Sequence, residues 1–403
     1  MPWLFGFRIL LGIGIGIRIR IGGDYPLSAA IVAERSTLGS RGRMLAWIFS
    51  SQGWRGWGTL AASVVTHILL SIFKSSLTNG HFGHIDAIWR LQIGLALVPC
   101  FALLYFRLTM PESRKFIQST ELSTVAQSQS LNNSTDVFDE RRAEKDFVGD
   151  SSPNRRASVV EAHATVPPKN VQMMAFIDYF SYPKHALILF GRAMSWFLVD
   201  VAFYGVNLNP SVILTSIGYS TGKNPYEYLL HNAEGNVIIA IAGYVPGYFL
   251  TIVFIELLGR KWIQIQGILV SCLMFGILAG APHLSSGARF ALIVIAQLFL
   301  NFDPNATTFI VPGEVFPSRV RGLAHGFCAA VGKCGAILSG IEFIWWSQSD
   351  HQKYPQSIAL SGVLWIFSAF QIAGAAVTLV CVPETRGVGA DAIDYAEMQE
   401  KVS

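Results

Sequence analysis

The run "SWFLVDVAFYG", residues 195–205, sets Trp196, Asp200 and Tyr204 four residues apart. On a helix these three lie within an arc of about 80° on one face. They bring a carboxyl group together with an indole donor and a phenol. The residues around them are apolar, and an ionised aspartate at mid-membrane costs about 2.5–3.5 kcal/mol on insertion scales. Protonation lowers that cost. A protonated Asp200 donates a hydrogen bond to an oxyanion, whereas an ionised one repels it. Such a group couples anion binding to proton binding. The same residue also reads as a polar contact that only fixes helix packing.

Other polar residues sit at similar depth. "GGDYPLSA" (22–29) holds a second acid, Asp24, beside Tyr25, with Pro26 opening a kink. "SSQGW" (50–54) supplies Gln52, and "NFDPNATTF" (301–309) gathers Asn301, Asn305, Thr307 and Thr308 around a ladder broken by Pro304. "AAVGKCGAI" (329–337) buries Lys333 among small residues. That lysine either offers positive charge to an anion or pairs with Asp200 or Asp24. Glu314 with Arg319 and Arg321 reads as a network at the cytosolic edge that latches helices in one state. Arg192 reads as a snorkelling cation near a helix end. His67 and His325 read as packed residues before proton relays. "RRAS" (155–158) suits a kinase acting on Ser158.

No nucleotide-binding loop, metal-ligand cluster or nucleophile elbow occurs in the sequence. ATP-driven transport and membrane enzymes are therefore disfavoured, and neither a cofactor nor a metal is expected. The five cysteines lie in or beside apolar runs and read as small buried hydrophobes.

The elements that must hold these residues follow from hydropathy. The chain has 403 residues, 52% hydrophobic and 14% charged, with a mean hydropathy of +0.43. This composition is that of an all-α polytopic membrane protein. The net charge of +4 fits basic cytosolic loops and needs no nucleic-acid partner. Apolar periodicity gives nine spans, at about 3–33, 45–73, 87–108, 185–208, 236–258, 262–281, 289–312, 322–346 and 358–382. Residues 109–183 read as a polar cytosolic linker, mostly disordered. The Lys and Arg residues of alternate loops place the C-terminus inside.

Two motif pairs repeat. "MPESRKF" (110–116) answers "VPETRG" (382–387), and "ERSTLGSRGR" (34–43) answers "EVFPSRVRG" (314–322), at offsets of roughly 275 residues. The first three spans thus correspond to the last three. The plan expected is six plus six helices, of which this chain lacks the first three. Residues 1–108 are then the remainder of the N-terminal half, 109–183 the linker, and 184–403 the C-terminal half with a short tail. Transporters of this plan bind substrate between their halves near the midplane.

The motifs "GGDYPLSA", "SSQGW", "SWFLVDVAFYG", "NFDPNATTFIVPGEVFP", "RGLAHGFCAAVGKCGAI" and "VPETRG" together resemble the fungal and plant phosphate:proton symporters of the major facilitator superfamily. The resemblance runs through all nine spans. It implies a phosphate site made of Tyr25, Gln52, Trp196, Asp200, Tyr204 and Asn305. Asp24 and Asp200 would carry protons, with Lys333 as electrostatic support. It further implies import of inorganic phosphate with protons from outside, across the plasma membrane. Against the family pattern "GIGIGGDYPLS", this chain carries about six extra residues around Arg18 and Arg20, enough to turn a helix by about 240°. They read as expansion of a simple repeat. A transporter of another small anion such as a glycerophosphodiester, a phosphate sensor and a truncated non-transporting product remain alternatives.

Overall fold

The computed structural model describes residues 28–29, 31–33, 36–37, 39–51, 54–81, 83–109, 169–222, 224–281, 283–302, 304–347 and 358–387. Asp24, Tyr25, Gln52, Ser158, Arg18 and Arg20 lie outside them. Every described element is helical. The first helices are α1 (Arg41–Ser51), α2 (Trp54–Ile72), α3 (Lys74–Thr78) and α4 (Gly83–Thr109). After the linker come α5 (Lys169–Phe180), α6 (Pro183–Leu208), α7 (Pro210–Ser216) and α8 (Pro225–Ile239). A π-helical turn, Ala240–Tyr244, joins α8 to α9 (Val245–Leu258). The series ends with α10 (Arg260–Gly280), α11 (Ser286–Asn301), α12 (Pro304–Val315), α13 (Ser318–Trp346) and α14 (Ala359–Cys381).

By compactness the chain divides into Met1–Ile88 with Pro167–Ser403, and Trp89–Val166. The described part of the second unit is the remainder of α4, an apolar helix whose Leu91, Ile93 and Leu95 are exposed.

Among the described residues, seven helical stretches are long and apolar enough to cross a membrane, and Trp57–Ile72 is a shorter apolar helix. Each expected span from 87–108 onward coincides with one of the seven. The expected span 45–73 is divided between α1 and α2, and 3–33 lies mostly outside the described residues. The expected start at 236 is late. That helix begins at Pro225, after an extended Asn224, because proline at the first helical position is already preset for it. Its early turns carry Glu227, His231 and Asn232, which lower the hydropathy without ending the helix. The stretch assigned to the linker ends in α5, whose Phe180 ring meets Phe316 edge-on at 5.6 Å between centroids.

Proline sets the interruptions. Pro246 has no N–H for the carbonyl one turn back, and the π-helical turn sits just before it. Pro304 opens α12 where α11 stops, dividing the expected span 289–312 at the proline that the sequence marks. The α10 start needs a glycine: Gly259 has φ +83°, and a Cβ there would lie 2.6 Å from a Glu384 oxygen. Glu384 uses that space to cap α10. Its two oxygens accept from the backbone N–H groups of Arg260 at 2.9 Å and Lys261 at 3.0 Å. The "VPETRG" motif thus closes a helix end far away in sequence.

Two large hydrophobic clusters fill the bundle. One holds Phe203, Val206, Phe275, Leu300 and Phe367. The other holds Phe49, Trp196, Tyr248, Phe309 and Phe316. Helix α6 contributes to both, with Trp196 buried in one cluster and Val201 in the other.

Candidate functional site

Helix α6 presents Trp196, Asp200 and Tyr204 toward α13. Trp196 and Asp200 are buried, and Tyr204 is half-buried. Lys333 on α13 completes the group. Its Nζ lies 3.3 Å from Asp200 Oδ2 and donates to the Tyr204 hydroxyl at 2.7 Å. The same ammonium stands 4.5 Å from the centre of the Tyr204 ring. Of the two sequence readings for Lys333, the pairing with Asp200 is the one this conformation displays. The lysine side chain keeps 50% of its surface exposed while the Asp200 side chain keeps 1%. The pair therefore joins a sealed carboxylate to a cation with access to its surroundings. Asp200 Oδ1 is buried with no hydrogen bond among the described residues.

Small residues on α13 make this approach possible. A Cβ at Gly332 would strike the Trp196 indole at Cδ1, so the indole occupies the space a side chain would take. His325, two turns earlier on α13, meets Trp196 edge-to-face at 5.8 Å between centroids and 88°. Its Nε2 is 3.0 Å from the Phe309 carbonyl, which makes Nε2 the protonated nitrogen. His325 is therefore a packed residue that braces Trp196 against α12.

Asn305 on α12 donates from Nδ2 to the Tyr248 hydroxyl at 3.0 Å. The Tyr248 ring lies 6.0 Å from Phe49 of α1, and Phe49 lies 5.1 Å from Phe309. The end of α1 thus meets α9 and α12 beside Asn305. Sequence reasoning passed over Tyr248. The signal available was a hydroxyl in an apolar run directly after Pro246 and Gly247.

The network around Glu314 has a different composition from the one expected. Glu314 is held by Arg260, through Nε at 3.0 Å and Nη2 at 3.0 Å, and accepts from the Thr385 hydroxyl at 2.8 Å. Arg260 also grips Glu256, at 2.8 and 3.1 Å. Glu256 accepts in turn from the backbone N–H of Arg43 on α1 at 3.0 Å. Arg260 is fully buried, and both edges of its guanidinium fork are used. Arg321 donates to the Phe316 carbonyl at 2.9 Å, and Arg319 lies over the Tyr179 ring at 5.1 Å. Arg260 was not foreseen because it is 54 residues from Glu314 in sequence.

Arg192 does not snorkel. It is 1% exposed and donates from Nη2 to Gln264 Oε1 at 3.0 Å. Of the cysteines only Cys328 is buried; Cys100 and Cys334 are exposed and the other two intermediate. On spans without a wide polar face, hydropathy does not separate lipid-facing from core-facing positions. His67 is exposed and lines a cavity of about 390 Å³ with Tyr219 and Glu234.

Membrane-length helices thus surround a sealed carboxyl and its half-exposed lysine partner. The fold is that of the major facilitator superfamily. It aligns with the solved proton:xylose symporter XylE bound to 6-bromo-6-deoxy-D-glucose at TM-score 0.62 and 16% identity, over 98% of this chain and 74% of that one. The chain belongs to the sugar (and other) transporter family, whose model matches residues 1–396. This is a family of multi-pass membrane transporters rather than enzymes.

Three fungal relatives align along nearly the whole chain. A Schizosaccharomyces pombe protein provisionally described as an inorganic phosphate transporter is 45% identical over 99% of this chain and 69% of its own. The Saccharomyces cerevisiae inorganic phosphate transporter PHO84 is 38% identical over 94% of this chain and 65% of its own. The Neurospora crassa repressible high-affinity phosphate permease is 37% identical over 94% of this chain and 66% of its own.

Proposed function

We propose that this chain imports inorganic phosphate together with protons, by alternating access across the plasma membrane. The observation that carries the reading is the sealed carboxyl of Asp200 held by Lys333 and flanked by Tyr204. The names of its relatives support phosphate as the anion. While Asp200 is ionised, Lys333 is committed to it and the site repels an oxyanion. A proton arriving from outside neutralises Asp200. The carboxyl then becomes a donor, and Lys333 is released to face the incoming anion. On the inner side the proton leaves, Asp200 recaptures the lysine, and the anion is expelled. One positive and one negative group thereby exchange partners within each cycle.

In this reading phosphate is bound by Tyr25, Gln52, Trp196, Asp200, Tyr204 and Asn305. Asp24 hands protons toward Asp200. Residues 1–108 and 184–403 act as the two halves that rock about the site. The edge network of Glu314, with Arg319 and Arg321 nearby, latches one of the two states.

The test is uptake of labelled phosphate in cells lacking their own uptake system. Asp200→Asn should abolish uptake while leaving surface expression intact. Excess glycerophosphodiester should not compete. Undiminished uptake in the variant would remove Asp200 from the coupling step.

A further inference from the structure

Arg192 is an enclosed cation that the transport cycle above does not use. Its guanidinium carries five N–H donors. Nη2 is engaged by Gln264 Oε1 at 3.0 Å and, loosely, by Ser195 Oγ at 3.4 Å. Nε and Nη1 are buried with no hydrogen-bond partner among the described residues. No carboxylate among them lies within ion-pair distance of it, and the buried acids of the bundle are paired elsewhere. Asp200 is held by Lys333, Glu314 and Glu256 by Arg260, and Glu384 by the start of α10. The titratable group facing Arg192 is the Cys328 thiol.

The groups beside it are neutral and rich in donors. Ser195 and Thr378 share a hydrogen bond at 3.1 Å, and the Gln264 amide donates to Ser195. The cluster joins α6, α10 and α14. Gln264 is about 6 Å along α10 from its first residue, and Thr378 about 5 Å from the last residue of α14. Both ends belong to the side that the basic loops mark as cytosolic. Lys261 stands at that edge, its Nζ donating to the Leu379 carbonyl at 2.7 Å. A buried guanidinium with three unmet N–H donors and only neutral partners lacks a counter-charge.

We infer that Arg192, with Ser195, Gln264 and Thr378, forms a second anion site that takes a small inorganic oxyanion from the cytosolic side. It is separate from the Asp200–Lys333 group, and it does not depend on the transport reading. These donors are sealed in this conformation, so an occupant enters as α6, α10 and α14 part, and cytosolic anion would favour the conformation in which they open enough to admit it.

The probe is inorganic phosphate, and the readout is thermal unfolding of the full chain in lipid nanodiscs at constant ionic strength. The background is Tyr204→Phe with Asn305→Ala, which weakens the proposed transport site and leaves Arg192, Ser195, Gln264 and Thr378 unchanged. In that background phosphate should still raise the unfolding temperature saturably. Adding Arg192→Gln should shift half-saturation by about tenfold or abolish the response. A background that ignores phosphate, or an Arg192→Gln chain that responds unchanged, overturns the inference. Should Arg192→Gln fail to fold, Thr378→Val decides instead: weaker half-saturation supports the site, and an unchanged value overturns it. Loss of uptake without loss of this response would count against the transport reading alone.

Discussion

Replacing Lys333 by methionine keeps most of the side-chain volume and removes its charge. The Asp200 side chain, 1% exposed, then has no cation within 4 Å among the described residues. Breaking a buried pair from one side costs about 3–5 kcal/mol, because the remaining charge is left uncompensated. Half of the Lys333 side chain is exposed, which places the cost at the lower end, about 3 kcal/mol. Removing both charges is a different perturbation. Asp200→Asn in the Lys333→Met chain leaves a neutral amide that retains a donor, so most of the lost stability should return. The double variant should stand within about 1 kcal/mol of the parent, giving a coupling energy of at least about 2 kcal/mol, to which the cost of Asp200→Asn alone adds. Thermal unfolding in detergent reads this directly: Lys333→Met should melt about 5 °C or more below the parent. Additive effects, with the double variant less stable than either single one, would refute the argument that the two groups compensate each other.

Glu384→Ala removes the acceptor for two N–H groups at the start of α10 and should cost about 1 kcal/mol, read as a lower melting temperature, with Glu384→Gln in between. Gly332→Val places a side chain where the Trp196 indole now lies, so labelled phosphate uptake should fall severely while the variant still reaches the surface. Arg260→Leu leaves Glu314 and Glu256 without the guanidinium that holds both, and should cost at least about 3 kcal/mol, measured by the same melting assay.

How much of this could be read in advance differs by kind of feature. Span positions followed from hydropathy, and the break before Pro304 followed from the chemistry of proline. The shared face of Trp196, Asp200 and Tyr204 followed from helical periodicity. What periodicity cannot supply is the partner across the gap. It left Lys333 between two readings, and the structure pairs it with Asp200 because Gly332 lets α13 approach α6. It grouped Glu314 with Arg319 and Arg321, its neighbours in sequence, while the guanidinium that holds it comes from the far end of another helix. It read Arg192 as snorkelling from its place along α6, although the direction of the side chain depends on α10 and α14 packing beside it. Glu384 stood out as part of a motif, but its task as a helix cap appears only once α14 ends beside Gly259.

The central claim is that one carboxyl group takes up a proton when the anion enters and gives it up when the anion leaves. Simultaneous recording of proton and phosphate entry into proteoliposomes containing the chain tests it most directly. The account predicts that added phosphate draws protons inward with the labelled anion, and that Asp200→Asn ends this joint movement. Phosphate entering without protons, or a joint flux that survives the substitution, would contradict it.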